Sequence, residues 1–172
     1  LAPKFLAALA KEEGEFVRPA LIRALAAMHK EPGVVDVLMR DTRRGVDFFR
    51  STVIEAIGDY KVAAALPAVI EVAKLDGPLQ DDAVTAIGKI GDKSALPVLA
   101  SLQQSAPKES QPAIAAAICL TGTNCTAHIG YLEKTLTYAE TYPGFQELLR
   151  SAAAGLGHLA RQGNAEALRI LF

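Results

Sequence analysis

The chain of 172 residues has no Trp, only two Cys, and an aromatic content of just 6%. Sites that handle nucleobases rely on stacking rings, which this composition does not favour. A net charge of −1 provides no basic field for phosphate backbones, so nucleic acid is not an expected partner. No apolar run reaches the roughly 18 residues of a membrane-spanning helix, so no span is expected. Hydrophobic residues still make up 51%, which indicates an ordered, aliphatic core.

The two cysteines, Cys119 and Cys125, are too few for a disulfide framework, and their spacing matches no zinc motif. We predict two free thiols, one in the core at Cys119 and one in a loop at Cys125. A disulfide across residues 120–124 stays open as the alternative. No signal peptide is evident, so a cytoplasmic location is expected, although a leader removed before Leu1 is also possible.

An internal repeat is the most informative feature of the chain. Ala-Ile-Gly at 56–58 recurs at 86–88, and Leu-Pro at 66–67 recurs at 96–97, so both pairs share an offset of 30 residues. Two markers with one offset and no gap indicate a repeat architecture. Weaker anchors extend the pattern along the whole chain at a period of 30 to 36 residues.

Each period contains two helical patterns separated by Gly, Pro or Asp, as in the break at Gly91-Asp92. In the third full copy, Ser94 is the expected N-cap of the second helix and Pro97 lies in its first turn. The residues expected on the inner faces of its two helices are Ala83, Ile87 and Ile90, then Leu96, Leu99 and Leu102. A pair of such short helices cannot bury its own apolar stripe, so neighbouring pairs must stack. We therefore predict an all-α fold, a right-handed α-α superhelix or solenoid of antiparallel helix pairs, as one domain over 1–172 with about five and a half repeats. The predicted pairs are 15–29 with 34–42, 46–58 with 62–75, 79–90 with 94–104, 110–121 with 126–141, and 144–160 with 164–172, preceded by a helix at 3–11.

The two ends of the chain are unusual for a complete solenoid. The first predicted helix has no partner, and the chain ends on the apolar residues 170–172 rather than on a polar cap. We expect a piece of a larger protein, with a dimer through an exposed end as the alternative.

Residues 81–99, Asp-Asp-Ala-Val-Thr-Ala-Ile-Gly-Lys-Ile-Gly-Asp-Lys-Ser-Ala-Leu-Pro-Val-Leu, resemble a HEAT repeat of the short, phycobilisome-lyase-like class. In that class the first helix ends in an Ala-Leu-Gly-like triplet, followed by a Gly-Asp turn and an Ala-x-Pro-x-Leu helix. Copies at 50–75, 80–104 and 149–172 match best, whereas the copy at 111–141 has Cys119 where Gly would stand. The resemblance implies an armadillo-like helical solenoid, and members are mostly interaction scaffolds with a few bilin lyase subunits.

Side chains with catalytic chemistry are sparse and widely separated. The three histidines, His29, His128 and His158, form no metal-binding or nucleophile-activating spacing, and we interpret them as surface or helix-end residues. The adjacent Asp81 and Asp82 begin a predicted helix, where carboxylates complement the helix dipole. We therefore predict no catalytic residue, no metal site and no cofactor.

One basic cluster is present, and acidic neighbours accompany it. A phosphate or an acidic partner could bind there, but neutralisation by nearby aspartates is the favoured interpretation. The arginines are Arg40, Arg43, Arg44 and Arg50, and the aspartates are Asp36, Asp41 and Asp47.

The second helix of each pair commonly lines the concave, partner-binding side of a solenoid. On that basis a protein partner is expected, the function is predicted to be a non-catalytic interaction scaffold, and the oligomeric state stays open. The first alternative function is a bilin-lyase-type subunit that holds a substrate protein and a chromophore, and the second is DNA binding. For the two tyrosines, the alternative to partner binding is packing against the neighbouring helix pair. The predicted binding residues are Asp36, Met39, Arg43, Glu71, Ser101, Tyr131, Lys134 and Tyr138.

Overall fold

The computed structural model describes all residues from 1 to 172, and it is entirely helical, with no strand. Eleven α-helices are joined by short turns, three of which contain a single 3₁₀ turn. The predicted all-α class is therefore confirmed. The helices are α1 (Ala2–Leu9), α2 (Val17–Ala27), α3 (Val34–Asp41), α4 (Asp47–Asp59), α5 (Leu66–Ala73), α6 (Gln80–Ile90), α7 (Leu96–Ser105), α8 (Gln111–Leu120), α9 (Cys125–Thr141), α10 (Gln146–Arg161) and α11 (Ala165–Leu171).

Each predicted helix corresponds to one observed helix, and the bounds differ by a few residues. The largest difference is at the start of α5, where a 3₁₀ turn at Ala63–Ala65 precedes the α-helix, and a similar turn at Lys93–Ala95 precedes α7. A proline stands in the first turn of both helices, at Pro67 and Pro97, where its missing N–H costs no helical hydrogen bond. The predicted place of Pro97 is thus confirmed.

The cap that begins the α7 segment differs from the prediction. Ser94 was expected to be the N-cap, but it lies inside the 3₁₀ turn. The side chain of Asp92, which has an extended backbone, accepts a hydrogen bond of 2.9 Å from the backbone N–H of Ser94. The Ser94 prediction is wrong because the 3₁₀ turn starts the segment earlier, and Asp92 is the residue that caps it.

The chain divides into two compact units, a first unit of Leu1–Ile90 and a second unit of Gly91–Phe172. In the first unit α4 packs between α2 and α6, while α3 contacts α5. In the second unit α8 packs on α10, and α9 contacts both α10 and α11. Within each unit, helices therefore pack against their neighbours in chain order, which is consistent with the predicted helical solenoid.

The core of the first unit repeats with the sequence period. Leu25, Ile57 and Ile87 come from α2, α4 and α6, lie 32 and 30 residues apart, and are each 0% exposed. The predicted burial of Ile87 is confirmed, and so is that of Leu99 in α7. Ile90, expected on the same inner face, is only half-buried because it is the last residue of its helix.

Two glycines allow neighbouring helices to approach closely. A Cβ at Gly58 of α4 would lie 2.8 Å from the Cα of Ala86 in α6, and one at Gly155 of α10 would lie 3.0 Å from the Cβ of Ala116 in α8. Because Gly155 and Gly157 follow a helix rather than a strand, the sequence predicts that both are close-packing sites between helices. The prediction is confirmed for Gly155 and wrong for Gly157, where an added Cβ would meet no atom of a neighbouring element within 4 Å.

Polar bonds join adjacent repeats of the first unit at separations close to the sequence period. Each bond connects a helix with the corresponding helix of the next repeat, at separations of 32, 31 and 30 residues. The bonds are Arg23 Nη2 to Glu55 Oε2 (3.0 Å), Ser51 Oγ to Asp82 Oδ2 (2.7 Å) and Lys89 Nζ to Asp59 Oδ1 (2.6 Å).

Cys119 and Cys125 form a disulfide, with their Cα atoms 4.4 Å apart. The prediction of two free thiols is therefore wrong, and the alternative it left open is the observed one. Two left-handed residues, Gly122 (φ 83°) and Asn124 (φ 49°), turn the chain back tightly enough to bring the end of α8 beside the start of α9. This conformation suits glycine and is tolerated by asparagine.

Candidate binding surface

The eight predicted binding residues fall into two groups, one in each unit. Seven of them are exposed, and only Met39 is half-buried. The first unit holds Asp36, Met39, Arg43 and Glu71, and the second holds Ser101, Tyr131, Lys134 and Tyr138.

In the first unit, the structure brings two of the predicted residues into direct contact. Arg43 donates a hydrogen bond to the carboxylate of Glu71, an ion pair between α5 and the residues after α3. Both side chains are more than half exposed, so the pair contributes little to stability. Ala68, one turn before Glu71, is buried, and the predicted stripe is therefore interrupted on α5.

Three of the four arginines in the basic cluster are paired with carboxylates within the protein, and Arg44 forms no ion pair. Arg40 binds both carboxylate oxygens of the buried Asp41, at 2.6 and 3.0 Å, and this hydrogen bonding raises the pKa of Arg40. Arg50 bonds the carbonyl of Thr42 at 2.9 Å and Asp47 at 3.2 Å. The predicted neutralisation is confirmed for Asp41 and Asp47, whereas Asp36 forms no ion pair.

In the second unit, the predicted residues of α9 share its outward face. Tyr131, Lys134 and Tyr138 follow helical spacing, and the two rings are 40% and 47% exposed. On the inner face Ile129 and Leu132 are buried, as predicted. The two tyrosines are therefore partly exposed, and Tyr138 also contacts Phe145 of the neighbouring helix pair, as the alternative interpretation expects.

Two further aromatic residues, which the sequence interpretation missed, extend this face. Tyr138 contacts the ring of Tyr142, with centroids 4.7 Å apart, and the ring of Phe145, with centroids 5.1 Å apart. We call these three residues the aromatic cluster. Tyr142 and Phe145 are 51% and 40% exposed.

The turn between α9 and α10 builds this cluster. Tyr142 ends α9 in an extended conformation, and Gly144 adopts a positive φ of 97° that favours glycine. Phe145 then precedes the first residue of α10, and its ring returns to Tyr138. The motif Tyr-Pro-Gly-Phe is thus both a helix break and an aromatic platform.

A cavity of about 390 Å³ lies beside the cluster. Tyr142 and Phe145 line it together with Glu140, Gln146 and Leu149. A second cavity of about 280 Å³, lined by residues that include Lys108, Glu109 and Glu147, shares Phe145 and Gln146 with the first. The two cavities therefore meet at one aromatic side chain and one amide.

Of the three acidic side chains that line these cavities, Glu147 is paired with arginine, whereas Glu109 forms no ion pair. Glu147 accepts hydrogen bonds from Arg150 at 2.9 and 3.1 Å. Arg169 binds Glu166 at 2.7 Å and Glu133 at 3.2 Å, and these carboxylates raise the pKa of Arg169. Glu140, which lines the larger cavity, forms no ion pair.

The three histidines lie at or near helix ends, as predicted, and each is half-buried. His29 Nδ1 lies 2.9 Å from the carbonyl of Ala26, and His158 Nδ1 lies 3.0 Å from the guanidinium of Arg161. Burial lowers the pKa of His128, in the first turn of α9. No group of three or more His, Cys, Asp or Glu side chains is arranged to hold a metal ion.

Comparison with known proteins adds no family assignment. No family model matches the chain, and no curated protein matches it. The HEAT-like resemblance is therefore carried by the residues and the repeat alone. None of the eleven helices combines the length and the apolar character needed to cross a bilayer.

Proposed function

We propose that the chain is a HEAT-type repeat scaffold of the short, phycobilisome-lyase-like class that binds a protein partner and performs no chemistry of its own. The observation that carries this proposal is the exposed aromatic face of α9 and the turn after it. Tyr131 and the aromatic cluster keep between 40% and 51% of their surface exposed within a span of fifteen residues, 131–145.

Aromatic residues are enriched at the centres of protein interfaces, where they supply rigid contact area at low entropic cost. Three of the four tyrosines in the chain stand in this short span, in a protein that is otherwise poor in rings. Contiguous exposed apolar surface of this kind commonly marks an interaction site. The concentration of rings therefore supports partner binding at this face.

The repeat identity is supported by a different set of observations. Corresponding residues of successive repeats are buried at 0% exposure, and polar bonds connect them at separations of 30 to 32 residues. A repeat that contacts only its neighbours is the property that defines solenoid proteins.

The test is site-specific photocrosslinking with benzoyl-phenylalanine in place of Tyr138, carried out in an extract of the source organism. We expect one crosslinked protein in a fixed stoichiometry. The matched control places the same probe at Tyr60, an exposed tyrosine of the first unit with a similar exposure of 42%. The captured protein is then purified, and its affinity is measured by calorimetry.

Substitution Tyr138→Ala should weaken binding of that purified partner about 30-fold or more, as expected for an interface hot spot. Equal crosslinking at positions 138 and 60, or an affinity that Tyr138→Ala leaves unchanged, would contradict the proposal.

The disulfide is relevant to where such a scaffold works. Disulfides persist in oxidising compartments and are rare in the cytosol. The Cys119–Cys125 bond therefore favours an oxidising compartment over the cytoplasmic location expected from the sequence. Mass measurement of the alkylated native protein, with and without prior reduction, shows whether the cysteines are bonded or free, and so tests the oxidising compartment against the cytoplasm.

A further inference from the structure

We infer that the larger cavity beside the aromatic cluster binds one arginine side chain, carried by an otherwise uncharged segment of the partner protein. This inference rests on the proposed function, because it names the chemistry of the partner at that face. The guanidinium would lie against the rings of Tyr142 and Phe145 and would pair with the carboxylate of Glu140, all of which line the cavity.

The rings supply the first part of this complementarity. A cation within about 6 Å of an aromatic centroid is attracted by the negative face of the ring. The chain itself shows the contact, because the guanidinium carbon of Arg18 lies 3.9 Å from the centroid of Phe49. Tyr142 and Phe145 are exposed at 51% and 40%, so they offer the same kind of surface to a second molecule.

The charges supply the second part. Glu140 is the one acidic side chain that lines the larger cavity, and it has no ion-pair partner. In the smaller cavity, Glu147 is paired with Arg150 and Glu109 forms no ion pair. One carboxylate without a partner, next to two exposed rings, complements one cation. Lys134 stands one turn from Tyr138 on the outward face of α9, and its charge disfavours a strongly basic segment.

The flat faces of the rings favour arginine over lysine as the bound cation. Arginine is planar and more weakly hydrated than the ammonium of lysine, and it stacks on aromatic faces. Tyr138 contacts both Tyr142 and Phe145, at 4.7 and 5.1 Å between centroids, and therefore holds these rings in place before a ligand arrives. A surface organised in this way loses less conformational freedom on binding.

The experiment titrates the 172-residue protein with a blocked pentapeptide that has a central arginine between serine and glycine residues. The matched peptide carries citrulline, which keeps the shape and removes the charge, and a third carries lysine. Because the chain has no Trp, tyrosine fluorescence reports directly on this surface. We expect the arginine peptide to bind about tenfold more tightly than the citrulline peptide, with lysine between them. Added salt should narrow the difference.

Two variants test the assigned side chains. Glu140→Gln should bring the arginine-to-citrulline ratio close to one, because it removes the charge and keeps the shape. Tyr142→Ala should weaken the arginine peptide about fivefold through loss of the cation–π contact. The controls are Glu31→Gln and Tyr60→Ala, at exposed positions of the first unit, and both should bind like the native protein. Circular dichroism verifies that every variant is folded.

The inference is overturned if the citrulline peptide binds as tightly as the arginine peptide, or if Glu140→Gln and Tyr142→Ala leave the ratio unchanged. It is also overturned, with the scaffold proposal intact, if position 138 crosslinks a partner that the arginine peptide does not displace. Loss of both the crosslink and the peptide binding would refute the two proposals together.

Discussion

The close approach of α4 and α6 at Gly58 makes Gly58→Ala an informative substitution. The new Cβ would lie 2.8 Å from the Cα of Ala86 and 3.0 Å from its Cβ. Nonpolar carbons prefer a separation of about 3.5–4.0 Å, so α4 and α6 must move apart by roughly 1 Å. The atom in the way belongs to the backbone of α6, and a rotamer change cannot relieve the clash.

The magnitude is the difference between two opposing effects. Overpacking of this kind costs about 1–3 kcal/mol. Alanine favours a helix over glycine by at most about 1 kcal/mol, and less near a helix end such as residue 58. We therefore expect a net loss of about 1–2 kcal/mol in the free energy of unfolding, or a Tm lower by about 3–6 °C.

The matched control is Gly157→Ala in α10, where a Cβ meets no atom within 4 Å. Only the higher helix propensity of alanine then acts, so the free energy of unfolding should rise by about 0.5–1 kcal/mol. Urea melts followed by far-ultraviolet circular dichroism measure both changes. If Gly58→Ala is neutral or stabilising, α4 and α6 do not pack as closely as the structure has them, and the reasoning fails. Adding Ala86→Gly should rescue Gly58→Ala only partly, because the backbone of residue 86 would still obstruct the new methyl group.

Three further predictions concern the core, the disulfide and a helix cap. Ile87→Asp should unfold the first unit, because it places a charge without a partner at a site with 0% exposure. A far-ultraviolet circular dichroism melt that matches the native one would contradict the assignment of Ile87 to the buried face of α6. Reduction of the Cys119–Cys125 bond should lower stability by about 2 kcal/mol for a loop of this length, measured by urea melts with and without dithiothreitol. The hydrogen bond from the Ser94 N–H lowers the pKa of Asp92, so its stabilising effect is present above the ordinary carboxyl pKa and is lost as pH falls through the lower folded value. Melts of Asp92→Ala and native protein should therefore differ at neutral pH and converge in strong acid.

The helices were predictable because local signals agree with the packing that follows. Proline in the first turn, glycine after the last turn and apolar residues at helical spacing all mark the same boundaries, as at Pro97 and Ile87. Such agreement between local preference and tertiary structure is typical of natural sequences. The Gly of the first Ala-Ile-Gly copy, Gly58, lies where α4 approaches α6, and only glycine leaves room there.

The features that were missed depend on geometry at turns. Cys119 and Cys125 pair because Gly122 and Asn124 are both left-handed, and the spacing of the cysteines does not reveal these dihedral angles. Phe145 joins Tyr138 because Gly144 reverses the chain, whereas the sequence marks the same residues only as a helix break. Which residue caps the segment before α7, Asp92 rather than Ser94, is likewise decided by backbone conformation.

The polar bonds between successive repeats of the first unit determine how that unit would respond to mechanical force. Each bond links a repeat with its immediate neighbour and skips none, at separations of 30 to 32 residues. A pull on one end therefore loads a single interface at a time. The unit should lengthen in steps, and each step should release one helix pair of about 30 residues, or roughly 100 Å of extended chain. Its repeats would therefore unfold one after another under force.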